Sequence, residues 1–301
     1  MRVISLGSGS SGNALLIEAG PQGRTKLLVD AGFTGRVLTQ RLRQVGVSPA
    51  QLTGILVTHE HIDHVSGLPY MMKYHKLPVI TDPLTIGAIQ RIFAGGAAHS
   101  DSGALVPLEL ERDGMNGAQI EKLFHDLPSG SNISFGDIEV ISFPVSHDAV
   151  APCGFLLSAG GCRVCVVIDT GEVSAPMLAM MQKADLLILE SNHDRERLLR
   201  GPYPYTLKQR ILGATGHLSN DQAAEAFLRT WRGDAVRWLW LSHLSRTNNT
   251  PRLALNAMRV HMSEAGVNLA QAHITALPPN IGSIWDSTQL WRNTSLWEMQ
   301  G

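Results

Sequence analysis

The sequence predicts a mixed α/β fold, and three observations predict it. Short apolar, β-prone runs alternate along the chain with segments of helical periodicity. Four ligand-type residues, His59, His147, Asp169 and His243, each stand just past the C-terminal end of such a run, where sites in layered α/β proteins gather. The chain has 301 residues, 44% hydrophobic and 17% charged, a globular balance with ample material for a core.

The elements follow in order. Residues 2–6 read as a strand that runs into Gly7-Ser8-Gly9-Ser10-Ser11-Gly12-Asn13. This loop matches GxGxxG, with Asp30 near the place of a ribose-binding acid, but a dinucleotide fold requires a helix next. Here the apolar run 14–19 stops at Gly20-Pro21-Gln22-Gly23, and residues 26–30 begin another strand. That pattern is a β-meander, although the loop's backbone N–H groups still suit an anion. Residues 35–45 read as a helix with Val37, Leu38, Leu42 and Val45 on one face, and Arg36, Arg41 and Arg43 as solvated charge. Strand 54–58, helix 66–76, strand 78–81 and helix 84–93 follow.

Glycines break every period in residues 94–132, which predicts a flap or inserted excursion; His99 and His125 within it read as surface residues. Strands resume at 133–135, 138–143, 154–157 and 162–169, then a helix at 174–182 and a strand at 186–190. Helices at 206–213 and 219–231 follow, the second opened by a Ser219/Gln222 capping box. Strand 237–243, helix 251–264 and strand 273–277 complete the pattern. The tail 278–301 carries Trp285, Trp291 and Trp297, residues that serve either core packing or a partner or dimer surface. No internal repeat is visible.

The net charge is −1 and the pI about 6.9, so no global basic field attracts nucleic acid and any such substrate is captured by local patches. Arg195, Arg197, Arg200, Lys208 and Arg210 form one basic stretch, a solvated helix face or a phosphate track. Three cysteines cannot build a disulfide framework; Cys162 and Cys165, three apart in a strand, face opposite ways as reduced core residues. The opening residues break at glycine too early for a signal peptide, and no apolar run spans a bilayer. The expectation is a cytoplasmic protein with no membrane association.

The chemistry concentrates in Thr58-His59-Glu60-His61-Ile62-Asp63-His64. His59 and His61, two apart in a strand, face one metal ion together. Asp63 and His64, just past the strand end, face a second. With His147, Asp169 and His243 this makes seven ligands, five His and two Asp, enough for two sites with a bridge. Imidazole and carboxylate suit two divalent ions, zinc before manganese.

His59-x-His61-x-Asp63-His64, a later His, a strand-end Asp-Thr-Gly and a late Ser-His resemble the signature of the metallo-β-lactamase-fold hydrolases. The opening Gly/Ser loop, Glu190-Ser191-Asn192-His193-Asp194, Gly201-Pro202-Tyr203-Pro204, Gly216-His217-Leu218-Ser219-Asn220 and Leu241-Ser242-His243-Leu244-Ser245 resemble its YycJ/WalJ-type branch. That branch is similar to ribonuclease Z and to the cyclic phosphodiesterase of phosphonate breakdown. The resemblance implies a four-layer αββα sandwich, a single domain over residues 1–301. It implies that His59, His61 and His147 hold one ion, that Asp63, His64 and His243 hold the other, and that Asp169 bridges. Asp30 matches an acid that orients a ligand histidine. A metal-bridging hydroxide attacks the substrate, with Asp63 and His217 as the catalytic pair. His217 contacts the phosphate or protonates the leaving oxygen; a capping or packing histidine is the competing reading, as it is for His193. Ser10, Asn13, Ser219 and Asn220 are candidate substrate contacts.

The implied function is a metal-dependent phosphodiesterase or nuclease acting on a phosphodiester such as a nucleic acid end, with a homo-oligomer as one form of assembly. Thioester or lactone cleavage on the same site is the alternative, and a low-turnover metal-binding regulatory protein the second.

Overall fold

In the computed structural model, which describes residues 1–100, 105–107, 117–233 and 235–292, the apolar runs become two seven-stranded sheets. The chain lays down β1 (Arg2–Gly7), β2 (Ala14–Ala19), β3 (Thr25–Val29), α1 (Gly35–Gln44), β4 (Gly54–Leu56), α2 (Ile62–Val65), α3 (Leu68–His75), β5 (Val79–Thr81) and α4 (Pro83–Phe93). The hairpin β6 (Ala97–His99) and β7 (Leu105–Pro107), α5 (Gly117–Glu121) and β8 (Phe124–Asp126) follow. Next come β9 (Asn132–Phe135), β10 (Ile138–Pro144), β11 (Cys153–Ala159), β12 (Cys162–Val167), α6 (Ala175–Met181), β13 (Leu186–Glu190), α7 (Arg195–Arg200) and α8 (Tyr205–Leu212). The last elements are α9 (Asn220–Arg229), β14 (Arg237–Ser242), α10 (Pro251–Glu264), β15 (Ala272–Ala276), β16 (Ile284–Asp286) and α11 (Gln289–Arg292).

The first sheet runs β16-β1-β2-β3-β4-β5-β8 and the second β15-β14-β13-β12-β11-β10-β9. Each begins as an antiparallel meander and becomes parallel, from β3 onward in the first and from β12 onward in the second. The parallel halves carry helical crossovers, as parallel pairing requires.

Strand side chains alternate between two apolar environments. Val3, Leu15 and Ile17 join Val164, Val166, Ile188, Trp238 and Trp240 in a core between the sheets. Their neighbours Ile4 and Leu16 pack outward with Leu38, Leu42 and Met71 of α1 and α3. Leu187, Leu189, Leu239 and Leu241 pack outward with Met177, Phe227 and Met258 of α6, α9 and α10. Strands apolar on both faces account for the unbroken hydrophobic runs, and the layers are helix, sheet, sheet, helix, as expected. Cys162 lies in the inner core and Cys165 in an outer one, on opposite faces of β12. Trp285 is inner core, with its ring centroid 6.1 Å from that of Trp238.

Arg237 is buried at the start of β14. Its guanidinium donates to the carbonyls of Met181 (2.8 Å), Ala184 (3.3 Å) and Thr230 (2.6 Å), at the C-terminal ends of α6 and α9. Helix C-termini leave carbonyls without intrahelical donors and favour a cation, so one side chain finishes two helices.

Three expectations need correction. The strand expected to run to Thr58 ends at Leu56. The helix expected over 66–76 is α3, from Leu68 to His75, and an additional short helix, α2, stands before it over Ile62–Val65, with Gly67 between them; a Cβ on Gly67 would lie 2.4 Å from the Phe33 carbonyl. Residues 94–132 are not wholly an excursion, since β8 extends the first sheet beyond β5. Positions 101–104 and 108–116 of that stretch, and Trp297 of the tail, lie outside the described residues. Among the described residues no helix is long and apolar enough to cross a membrane.

Candidate metal centre

Six strands end at one rim. Asp30 follows β3, His59 follows β4, His147 follows β10, Asp169 follows β12, Glu190 ends β13 and His243 follows β14. Asp30, Asp169 and His243 have left-handed backbone, with φ of 61°, 59° and 55°. That turn redirects each side chain from the strand into the cleft. The conformation is rare for residues other than glycine, though asparagine, aspartate and histidine are the ones that tolerate it best.

Two sets of ligand-type atoms meet there. One comprises His59, His61 and His147, the other Asp63, His64, Asp169 and His243, and within each the atoms lie within 4.8 Å of one another. His61 Nδ1 is 3.2 Å from His147 Nε2; His64 Nε2 and His243 Nε2 are each 3.4 Å from Asp63 Oδ2. Ligand atoms around a tetrahedral zinc ion, at ~2.0–2.1 Å from it, lie about 3.3 Å apart. Asp169 Oδ2 reaches both sets, 3.5 Å from His59 Nε2 and 2.8 Å from His64 Nε2. The Nε2 atoms of His59 and His243 are buried and have no hydrogen-bond partner, a costly state that a metal ion would relieve. The residues fit two ions sharing one carboxylate.

The opposite ring nitrogens are fixed from behind. His64 Nδ1 donates to Asp30 Oδ2 at 2.7 Å, His147 Nδ1 to the Gly216 carbonyl at 3.2 Å, and His243 Nδ1 to Glu190 Oε1 at 3.0 Å. Carboxylates and carbonyls only accept, so each bond places the proton on Nδ1 and turns the Nε2 lone pair to the centre. Asp30 is itself held by the backbone N–H of Thr58 at 2.9 Å and by the Thr58 hydroxyl.

Electrostatics divides the two sets. Burial pushes His59 well below the usual histidine value, helped by its histidine neighbours, and pushes His61 down to about 4. These imidazoles are neutral, the form that binds metal. Burial also opposes charge on His64 and His243, but Asp30 and Asp169 respectively, with Asp63, hold both well above the usual value. Despite its own burial, Asp169 is held well below the carboxylate range by His243 and His64. The second set therefore calls for positive charge, which a divalent ion supplies in place of protons.

Glu190, whose role sequence reasoning missed, joins the two halves of the site. Fully buried, its Oε1 accepts from His217 Nδ1 at 2.7 Å and from His243 Nδ1, and its Oε2 from the backbone N–H of Thr170 (2.9 Å) and of Leu218 (3.2 Å). Asp169, Glu190, His217 and His243 are also close enough to one another to suggest a third ion. With four N–H donors on its two oxygens, Glu190 acts instead as a bracket. A charged residue closing the buried run Leu186-Leu187-Ile188-Leu189 was the available signal.

The structure brings the seven ligand candidates, Asp30 and His217 together, but separates the four candidate substrate contacts. Ser10 lines a cavity beside His217. Asn13 is buried and donates to Asp63 Oδ2 at 3.2 Å, holding a ligand candidate instead of facing the cavity. Ser219 caps α9, and Asn220 bonds with Ser191 and Asn249. His99, expected on the surface without ligand-type neighbours, is exposed on the β6–β7 hairpin, yet its ring centroid is 6.1 Å from that of His61. In the basic stretch, Arg197, Arg200, Lys208 and Arg210 are each bonded to the protein's own carbonyls or carboxylates.

Comparison with known proteins agrees with this geometry. A family described as beta-lactamase superfamily domain matches residues 25–243. The exodeoxyribonuclease WalJ of Streptococcus pneumoniae serotype 2 (strain D39) is 35% identical over 264 residues, 88% of this chain and 89% of that one. The exodeoxyribonuclease YycJ of Bacillus anthracis is 33% identical over 267 residues, 89% and 91% of the two chains. The metallo-beta-lactamase fold protein YhfI from Bacillus subtilis superposes with a TM-score of 0.63 at 17% identity, over 94% of this chain and 98% of that one, a likeness of fold.

Proposed function

We propose a function from one premise: this chain belongs to the beta-lactamase superfamily and, within it, to the family of the WalJ and YycJ exodeoxyribonucleases. It is a metal-dependent hydrolase of the phosphodiesterase and nuclease type. Our reading is that it removes nucleotides from a DNA end, that zinc is its metal, with manganese the competing ion, and that His59, His61 and His147 hold one ion while Asp63, His64 and His243 hold the other and Asp169 bridges them. Bound there, the ions would polarise the phosphoryl oxygens and lower the pKa of a water.

The observation that carries the reading is the His217–Glu190 pair, 2.7 Å apart beside the two ligand sets. A proton on Nδ1 leaves Nε2 of His217, which lines the adjoining cavity, as the atom that hands a proton to the leaving oxygen. The Glu190 carboxylate stabilises the cationic ring before that transfer. Phosphodiester cleavage with an alkoxide leaving group needs such a donor. Asp63, fixed by Asn13, orients the attacking water. Asp30 acts at a distance by holding His64.

The test is a substrate panel with zinc- and with manganese-loaded enzyme: linear and circular DNA, bis(p-nitrophenyl) phosphate, a thioester and a lactone. Linear DNA should be shortened from an end, circular DNA spared and chelator inhibitory. Turnover confined to the thioester or the lactone would overturn the reading.

A further inference from the structure

Beside the metal centre, a cavity of about 140 Å³ is lined by Ser10, Ser100, Asn192, Tyr203, Leu207, Ile211, His217 and Ser245. It is far smaller than the roughly 300–1,000 Å³ clefts that enclose whole drug-sized ligands, so it takes a fragment of the substrate. Its walls differ in chemistry. Leu207 and Ile211 are four apart on α8 and share one helix face. With half-buried Tyr203, just ahead of that helix, they form an apolar, partly aromatic wall. The lining also includes hydroxyl side chains from three separate segments: Ser10 of the Gly/Ser loop, Ser100 after β6 and Ser245 after β14. His217 stands among them, so whatever enters lies next to the bond being cut.

We infer that this cavity holds one unpaired nucleobase next to the scissile phosphate, stacked on Tyr203, and that Tyr203 is a substrate-binding residue. The inference rests on the nuclease reading above. A base has two flat apolar faces and a polar edge, matching a lining that combines aromatic and aliphatic side chains with hydroxyls. A base pair does not fit, so the terminal nucleotide must be unpaired, in a single strand or at the frayed end of a duplex. Hydroxyls both donate and accept and every base has a stacking face, so the cavity tolerates all four bases.

The experiment is a coupling measurement on the metal-loaded enzyme. Kinetic constants are taken for a single-stranded oligonucleotide, and for the same strand with an abasic nucleotide in place of either residue flanking the terminal phosphodiester. Wild type and the variants Tyr203→Phe, Tyr203→Leu and Tyr203→Ala are compared. Stacking of a base on an aromatic ring predicts a loss of about tenfold in kcat/KM, mostly in KM, for wild type on one of the abasic strands. Tyr203→Ala and Tyr203→Leu should lose about as much on the intact strand, with little added by removing the base as well; Tyr203→Phe should keep wild-type behaviour. Wild type indifferent to both abasic strands, an arm that needs no variant, would overturn the inference, as would base and ring losses that multiply independently. Hydrolysis of bis(p-nitrophenyl) phosphate but of no oligonucleotide by wild type would instead remove the nuclease reading itself.

Discussion

Glu190→Gln is the sharpest perturbation of the site because it changes almost nothing but charge and hydrogen-bond polarity. The native carboxylate accepts four N–H groups, two from imidazoles through Oε1 and two from backbone through Oε2. A glutamine keeps the shape but turns one end into a donor. If the NH₂ faces Thr170 and Leu218, backbone donors that cannot change meet a donor. If it faces His217 and His243, both rings must move their proton to Nε2, which removes His243 from the metal and leaves His217 without a stabilised cation. Hydrogen bonds to charged groups are worth about 1.5–3 kcal/mol each, and loss of general acid help costs on the order of 10²–10⁴ in rate. We therefore expect kcat on DNA to fall at least about 100-fold, with metal affinity about 10–100-fold weaker. The diagnostic assay varies the leaving group at saturating metal. An alkoxide leaving group needs the proton and p-nitrophenolate scarcely does, so bis(p-nitrophenyl) phosphate should lose much less than DNA. Equal losses on both substrates would refute the proton-donor assignment, and unaltered metal affinity would refute the bracket.

Three further outcomes follow from the same geometry. Asp30→Asn removes the charge behind His64 Nδ1 without changing shape, so titration of metal into apoprotein should show one ion bound about 10–100-fold more weakly. Arg237→Met strips donors from the ends of α6 and α9 and should lower unfolding free energy in urea by ~3 kcal/mol, with turnover per folded molecule kept. Burial pushes His193 down to about 4 from 6.5, so the unfolded chain binds more protons between those values, and stability falls as pH drops through that window. His193→Phe should flatten that part of the stability–pH curve, by up to about 3 kcal/mol at its acid end.

What the sequence revealed and what it hid have physical causes. His59, His61, Asp63 and His64 were legible because four ligand-type residues stand within six positions, a density that local structure alone does not require. The layered fold was legible because its strands are apolar on both faces. The expected reason for pairing His59 with His61, a shared strand face, was nevertheless wrong: the strand stops at Leu56, and an extended loop leading into α2 brings the rings within 4.6 Å. Glu190 and Tyr203 were illegible as site residues because each gains its meaning from partners far along the chain. His99 reads as surface until the β6–β7 hairpin folds beside His61. Ser219 and Asn220 were ambiguous, since a polar pair opening a helix serves an anion or the protein's own bonds equally well; in the structure both make bonds within the protein.

The rim also explains how the fold meets the demands of the centre. A side chain on a strand points to one sheet face or the other, so an undistorted strand end would aim Asp30, Asp169 or His243 into an apolar layer or along the strand. One residue of left-handed backbone at each end swings the group into the cleft, at a cost of order 1–3 kcal/mol apiece. Each turn is pinned. The Asp30 N–H donates to the Leu56 carbonyl at 2.8 Å, the His243 N–H to the Ser8 hydroxyl at 2.8 Å, and the residue after Asp169 donates its N–H to Glu190. Ser8 belongs to the opening Gly/Ser loop, whose Ser10 lines the cavity, and Glu190 bonds to His217, so the parts that hold the turns also adjoin the cavity and His217. Strain at the centre is thus held by the same bonds that orient the chemistry. Glycine, which would relieve the backbone at any of the three positions, would remove the very group the turn exists to aim.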